Sequence, residues 1–345
     1  MKRLFYALSL IILFLTPDSV TSQSTDSIIS KIAFGSCSHQ DKPQPILDLI
    51  VQYKPDLFIY LGDNIYGDTR KMDKLQKKYN KLAAKPEFQA LKKTCTVLAT
   101  WDDHDYGEND AGRHYPFKAE SKELFLKFWN EPEDSERRKH EGIYHSIIFG
   151  PEEKRVQIIL LDTRTFRDNL VKTKGKIIFM NDYQPNENKD STFLGHEQWK
   201  WLEEQLKLPA ELRIIASSTQ FSHEYNGWES WTNVPHEQKR MTDLIKSTNA
   251  NGVLIISGDV HWGEISKLDV EGQYPLYDVT SSGITQTWDK IAPNKNRIGD
   301  AIAENNYGVI EIDWTKPTPE IDLKLFDIEN KLRSSVHLSL TDLSF

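Results

Sequence analysis

Only two cysteines, Cys37 and Cys95, occur in this chain of 345 residues. Positive charge is also in deficit: 43 Lys and Arg stand against 51 Asp and Glu, for a net charge of −8 and no basic tail. That balance argues against binding nucleic acid by neutralising its phosphates, and no nucleic-acid-binding module is evident. An acidic protein still binds phosphate locally wherever it holds metal ions. Beyond the N-terminus no run is long and apolar enough to span a bilayer. No Gly/Ser/Pro-rich linker, low-complexity tract or internal repeat divides the chain. Several catalytic signatures are missing as well. There is no G-x-S-x-G elbow, no G-x-x-x-x-G-K-S/T loop and no G-x-G-x-x-G fingerprint. "FGSCS" hints at a thiol nucleophile, but no C-x-x-C and no Cys/His/Asn framework accompanies it.

What is present begins with a targeting signal. "MKR" is a positive n-region, "LFYALSLIILFL" a short apolar h-region, and "TPDSVTSQ" supplies small residues. We expect a signal peptide over residues 1–22, cleavage near Ser22–Gln23, and export to the periplasm or the medium. No stable membrane span would then remain. An uncleaved anchor is the alternative; a lipoprotein is disfavoured because Cys37 follows the charged Asp26 and Lys31. In an oxidising compartment a Cys37–Cys95 disulfide is the default. The other reading is that one thiolate ligates a metal.

Residues 23–345 read as one domain; the chain as a whole is 38% hydrophobic and 11% aromatic, enough to fill a sizeable core. Apolar strand-like runs ("KIAFGSC", "DLFIYLGD", "CTVLATWDDHD", "VQIILLDTR", "LRIIASSTQF", "GVLIISGDVHW") alternate with amphipathic ones. "PQPILDLIVQYK" places Ile46, Leu49, Ile50 and Tyr53 on one helical face; "AESKELFLKFWNE", "GHEQWKWLEEQLK" and "VPHEQKRMTDLIKS" have the same period. Such alternation predicts an α/β sheet covered on both faces. Towards the C-terminus "YPLYDVTSSG", "YGVIEIDW", "EIDLKLFD" and "VHLSL" lack intervening helices, and two of them alternate apolar with polar residues. They predict a second sheet packed on the first. Residues 172–192 are polar and predict a long loop, near a site or on the surface.

Polar residues gather where strands end. Cys37, then Asp63, Asn64 and Tyr66, then Asp102 to Asp105, then Asp162 and Arg164, then Asp259, His261 and Glu264 follow five of the six apolar runs, in order. Ligands of open α/β sheets bind outside the carboxyl ends of strands. A single Asp after a strand is often a turn or cap residue, and a lone His is often structural. Carboxylates crowded together repel and together require a cation. Cys95 opens an apolar run and reads as a small buried hydrophobe. Trp101, Trp262 and Tyr60 read as core or wall.

The motifs "FGSC", "GDNIY", "WDDHD" and "SGDVH", with "LLDTRTFRD" and "LGHEQWKWLEEQL", appear in this order. They resemble the alkaline phosphatase D (PhoD-like) branch of the calcineurin-like metallophosphoesterase superfamily, over roughly residues 31–285. The resemblance implies an α/β fold, a four-layer α/β/β/α sandwich of two mixed sheets flanked by helices. It implies a mixed metal centre: Cys37, Asp63, Tyr66 and His261 around a transition metal such as Fe3+, and Asp63, Asp103 and Asp259 around Ca2+, with Asp63 shared. Thiolate, phenolate and imidazole suit a transition metal, and an all-oxygen set suits calcium. A ligand role for Cys37 would oppose the disulfide. Cations about 3.5–4 Å apart clamp a phosphate ester and activate water. His104 is placed like the family histidine that protonates the leaving oxygen, a task Asn109 or water could share. Arg164 is a candidate phosphate or supporting contact through its planar fork, or a salt bridge to Asp162 or its neighbours. The leading expectation is an exported phosphoesterase acting on small phosphate mono- or diesters. A phospholipase-type phosphodiesterase is the alternative, with the aromatic stretch 224–235 walling an apolar substrate. A secreted calcium-binding module is the non-enzyme reading.

Overall fold

In the computed structural model, residues 23–175, 181–224 and 227–345 are described. The leader expected over residues 1–22 lies outside them. Among the described residues no helix is long and apolar enough to cross a membrane.

The apolar runs form strands buried on both faces. Leu57–Leu61 is buried at every position. Side chains alternate along a strand, so Leu57, Ile59 and Leu61 enter one apolar core while Phe58 and Tyr60 enter another. In the neighbouring strand Lys31–Gly35, Ile32 and Phe34 divide from Ala33 in the same way. A six-stranded sheet therefore separates two cores. Its order is Leu332–Ser339, Glu320–Asp327, Asn306–Asp313, Lys31–Gly35, Leu57–Leu61 and Thr96–Thr100. The last three are parallel; the C-terminal three join antiparallel.

An eight-stranded mixed sheet lies across the first core. Its order is Gln23–Thr25, His145–Phe149, Val156–Leu160, Leu212–Ala216, Val253–Ser257, Leu276–Ser281, Gly263–Leu268 and Arg297–Ile302. Ile158, Ile214 and Ile255 share that core with Ile59 and Leu61. The helices Pro45–Tyr53, Met72–Ala83, Pro86–Thr94 and Lys118–Phe128 cover the six-stranded sheet, burying Ile50, Leu75, Leu91 and Phe125. Gly195–Leu206 and Pro235–Ser247 cover the eight-stranded one through Trp199, Leu202, Met241 and Ile245. The layers are helix, sheet, sheet, helix, as the resemblance implied.

One expectation is corrected. The C-terminal strands do not make a sheet of their own. Asn306–Asp313 pairs with Lys31–Gly35, so they extend the sheet that the N-terminal strands begin, while Leu276–Ser281 joins the other sheet. The pairing is set by which strand edge is left open across the whole fold, and no local pattern encodes that.

Candidate metal centre

Parallel strands deliver their carboxyl ends to one seam between the sheets. Thr100 donates through Oγ1 to the Leu161 carbonyl, and Ser36 donates its backbone N–H to Ser281 at 3.0 Å. Two glycines allow the seam to close. Gly62 has φ +98°, and a Cβ there would sit 2.5 Å from Asp102 Cβ; a Cβ on Gly258 would sit 2.3 Å from Ser36 Oγ. Each immediately precedes an aspartate of the site. Beyond them the backbone is strained: Cys37, Asp63, Asp259 and His261 all have positive φ, between 50° and 75°. Non-glycine residues enter that region at a cost of about 1–3 kcal/mol each, and they cluster where function demands it.

The side chains so placed form overlapping groups. Donor atoms of Cys37, Asp63 and His261 lie within 4.8 Å of one another, as do those of Asp63, Asp103 and His104, and those of Asp102, Asp103 and Asp259. Cys37 Sγ is 3.4 Å from Asp63 Oδ2, and Tyr66 Oη is 3.1 Å from His261 Nε2. All six residues expected as metal ligands therefore meet in one place, with Asp63 in both the sulfur–nitrogen group and a carboxylate group. Asp102, not expected as a ligand, reaches the carboxylate group too. A fourth group joins Asp103 to Asp110 and Glu229, which the sequence reading missed. Asp110 offered no signal beyond its place after "WDDHDYGEN", and Glu229 lies in a loop without periodicity.

The donor set fits cations. Oδ2 of Asp102, Oδ1 of Asp103 and Oδ2 of Asp259 are buried without a hydrogen-bond partner, an expensive condition for carboxylates unless a cation completes them. Burial first pushes Asp63 and Asp259 well above the carboxylate range; neighbouring carboxylates add to it in both, with Cys37 adding and His104 opposing at Asp63. Burial pushes the Cys37 thiol up to about 12, so it needs a cation to ionise. His261 is pulled down to about 4, by burial first and then by His104, so its ring is the neutral form that ligates. Cys37 and Cys95 are both free thiols. Cys95 opens its strand and Cys37 follows the end of a parallel one, so the two lie at opposite sheet edges and the default disulfide is not formed. Cys95 is also only partly buried.

His104 borders the carboxylates. Its Nδ1 is 2.7 Å from Asp68 Oδ1, and its ring packs 4.2 Å from Tyr66, which His39 flanks at 4.9 Å. Burial pulls its pKa down, but Asp63, Asp103 and Asp68 outweigh that and hold it up to about 11. The bond to Asp68 assigns a proton to Nδ1 and leaves Nε2 for a substrate oxygen.

Of the roles open to Arg164, the structure favours the supporting contact and salt bridge over the phosphate contact: it is fully buried, its Nε donates to Asp102, and both terminal nitrogens donate to Glu229 at 3.1 and 2.7 Å. Asp162 is not its partner, since that carboxylate accepts from Trp101 Nε1 and from the backbone of Ile143, Arg164 and Thr165. Asn109 is exposed on the turn after the Asp103–Tyr106 helix, next to Asp110. Described parts of the segment 172–192, where Val171–Lys172 pairs with Tyr183–Gln184, reach the site. Tyr183 donates through its hydroxyl to Asp110, and Asp182 N–H donates to Gly227 at 2.8 Å. Of the aromatic stretch, Trp231 is core, stacked on Phe193, while Trp228 is partly exposed.

Glu264 ties the segment of Gln220 and His223 to that of Asn294 and Arg297. It accepts from Gln220 at 2.8 Å, Asn294 at 3.1 Å and Arg297, and contacts His223 at 3.1 Å. Burial alone would raise Glu264, but His223 and Arg297 pull it from 4.5 to about 2. A carboxylate depressed by folding contributes stability that is full above about pH 4.5 and lost as the pH falls toward 2. Glu264→Gln is expected to cost roughly 3 kcal/mol at neutral pH and to flatten the acid limb in that window, read from unfolding midpoints across pH.

A family model for PhoD-like phosphatases matches residues 32–308. The chain belongs to the PhoD-like phosphatase family. Alkaline phosphatase D of Bacillus subtilis is 24% identical over 297 residues, which are 73% of this chain and 48% of that protein. The chain thus spans about half the length of the curated relative it matches. The solved structure of PhoD superposes with a TM-score of 0.70 at 18% identity, covering 92% of this chain and 70% of that one. A dimetal phosphatase from Danio rerio superposes at 0.56 with 12% identity, covering 91% and 100%. GAP50, the anchor in the inner membrane complex of Plasmodium, superposes at 0.57 with 12% identity, covering 91% and 89%. A PhoD-like fold is thus also similar to an anchor protein's, so activity has to be argued from the site.

Proposed function

We infer that this PhoD-like chain is an exported metal-dependent phosphoesterase of small phosphate mono- or diesters, working at a mixed centre of Fe3+ and Ca2+. The observation that carries this reading is the place of Asp63. It stands in one donor group with Cys37 and His261 and in another with Asp103. Cys37, Tyr66, His261 and Asp63 would hold the transition metal, and Asp63, Asp103 and Asp259, with Asp102 beside them, the calcium. Held there, two cations would supply charge neutralisation at a phosphate and a water ionised near neutral pH. His104 holds a proton for the leaving oxygen, Asp68 orients its ring, and Arg164 balances the buried Asp102 and Glu229. Export rests on the signal-like residues 1–22. No observation of the described site favours a lipid head group. A calcium-only module would leave Cys37, Tyr66 and His261 without a role.

Protein purified without chelator is expected to carry both iron and calcium and to hydrolyse simple phosphate esters until chelated. Calcium alone, without turnover, overturns the reading. His104→Gln is expected to lower kcat by about 10^2–10^4 for an alkyl leaving group and by much less for p-nitrophenol, which departs without a proton. Asp68→Asn should reproduce part of that loss with metal content unchanged; equal losses for both leaving groups would remove His104 from the role.

A further inference from the structure

Beside His261 the wall of the site is aromatic. The Trp288 ring lies 5.6 Å from the His261 ring at 65°, and Trp228 lies 5.2 Å from Trp288 at 64°. The two come from different segments. Trp288 N–H donates to the His261 carbonyl at 3.1 Å, which fixes its backbone against the ligand turn. Trp228 packs on the buried cluster of Val260, Trp262 and Ala292. Both rings stay partly exposed, whereas Trp101, Trp199, Trp231 and Trp262 are buried completely. At the other end of the same run of rings stands His104, reached through Tyr66, whose hydroxyl touches His261. The proton donor and the tryptophans therefore flank the donor groups from different ends.

We propose that Trp288 and Trp228 form a shelf for a flat apolar group that stays on phosphorus while the leaving oxygen departs toward His104. This rests on the phosphoesterase reading and adds the class of substituent the site selects. Indole faces and edges bind other rings in stacked or tilted arrangements. Among matched esters, the shelf favours an aryl over a methyl substituent.

The test compares phenylphosphonate with methylphosphonate, each titrated calorimetrically into the metal-loaded protein. It also compares turnover of p-nitrophenyl phenylphosphonate with that of p-nitrophenyl methylphosphonate, which share a leaving group. The wild type is expected to favour phenyl on the order of tenfold in both readouts. In Trp288→Ala the phenyl-to-methyl ratio should fall to about one with metal content retained, and Trp288→Phe should recover part of it. A ratio unchanged in Trp288→Ala overturns the shelf, as does a wild type without preference. An affinity loss equal for both ligands would make Trp288 a brace for His261 only. A phenyl preference in binding without turnover of either ester or of p-nitrophenyl phosphate would sink the phosphoesterase reading and leave the shelf standing.

Discussion

Asp63→Ala is expected to strip both ions from the centre together and to lower kcat/KM by at least about a thousandfold. Lewis-acid stabilisation is worth several kcal/mol, and each 1.4 kcal/mol is a factor of ten. The expectation of joint loss comes from geometry: Asp63 is common to the group that holds Cys37 and His261 and to the group that holds Asp103. Fold stability should change little or improve. Asp63 is buried with its charge disfavoured by burial and by its neighbours, which offsets the strain that alanine keeps at this left-handed position. Elemental analysis beside thermal melting separates the two effects. Loss of iron with calcium retained, or the reverse, would show that Asp63 serves one ion alone.

The second large effect is on folding. Arg164→Met should destabilise the protein by about 3–5 kcal/mol, because it leaves Asp102 buried opposite no cation and Glu229 with one partner fewer. Arg167 also reaches Glu229, at 3.1 Å, so Asp102 is the more exposed of the two to this loss. A drop in Tm on the order of 10 °C is the readout. Adding Asp102→Asn and Glu229→Gln to Arg164→Met should recover part of the loss, since the uncompensated charges go with it. A single variant as stable as the wild type would mean that the three groups are not charged together in the folded chain.

The strands that carry the site were legible because burial on both faces writes itself as unbroken apolar runs such as "LFIYL". Their ends were legible because a polar cluster after such a run has few structural reasons to recur. Cys37, Asp63, Asp103, Asp259 and His261 could be read in this way. Glu229 could not: a loop brings it in, and what fixes it is Arg164, a residue 65 positions away. Nor could the partner of Arg164 be read, since "LLDTR" places Asp162 two residues off while the fold turns that carboxylate to backbone amides. The sheet to which Asn306–Asp313 belongs was hidden for the same reason, being decided by a strand near the other end of the chain.

That pairing has a consequence in time. Lys31–Gly35, the first strand of its sheet, is flanked on one side by Leu57–Leu61 and on the other by Asn306–Asp313. The turn that follows it leans on late residues as well: Ser36 on Ser281, Cys37 Sγ on Ser282 at 3.1 Å, and the Cys37 carbonyl on Thr285. Contacts this distant in sequence close slowly. On a growing chain the contacts that Ser282 and Thr285 make with Cys37 cannot form until those late residues have been made, whereas Ser36 and Asp63 are present early.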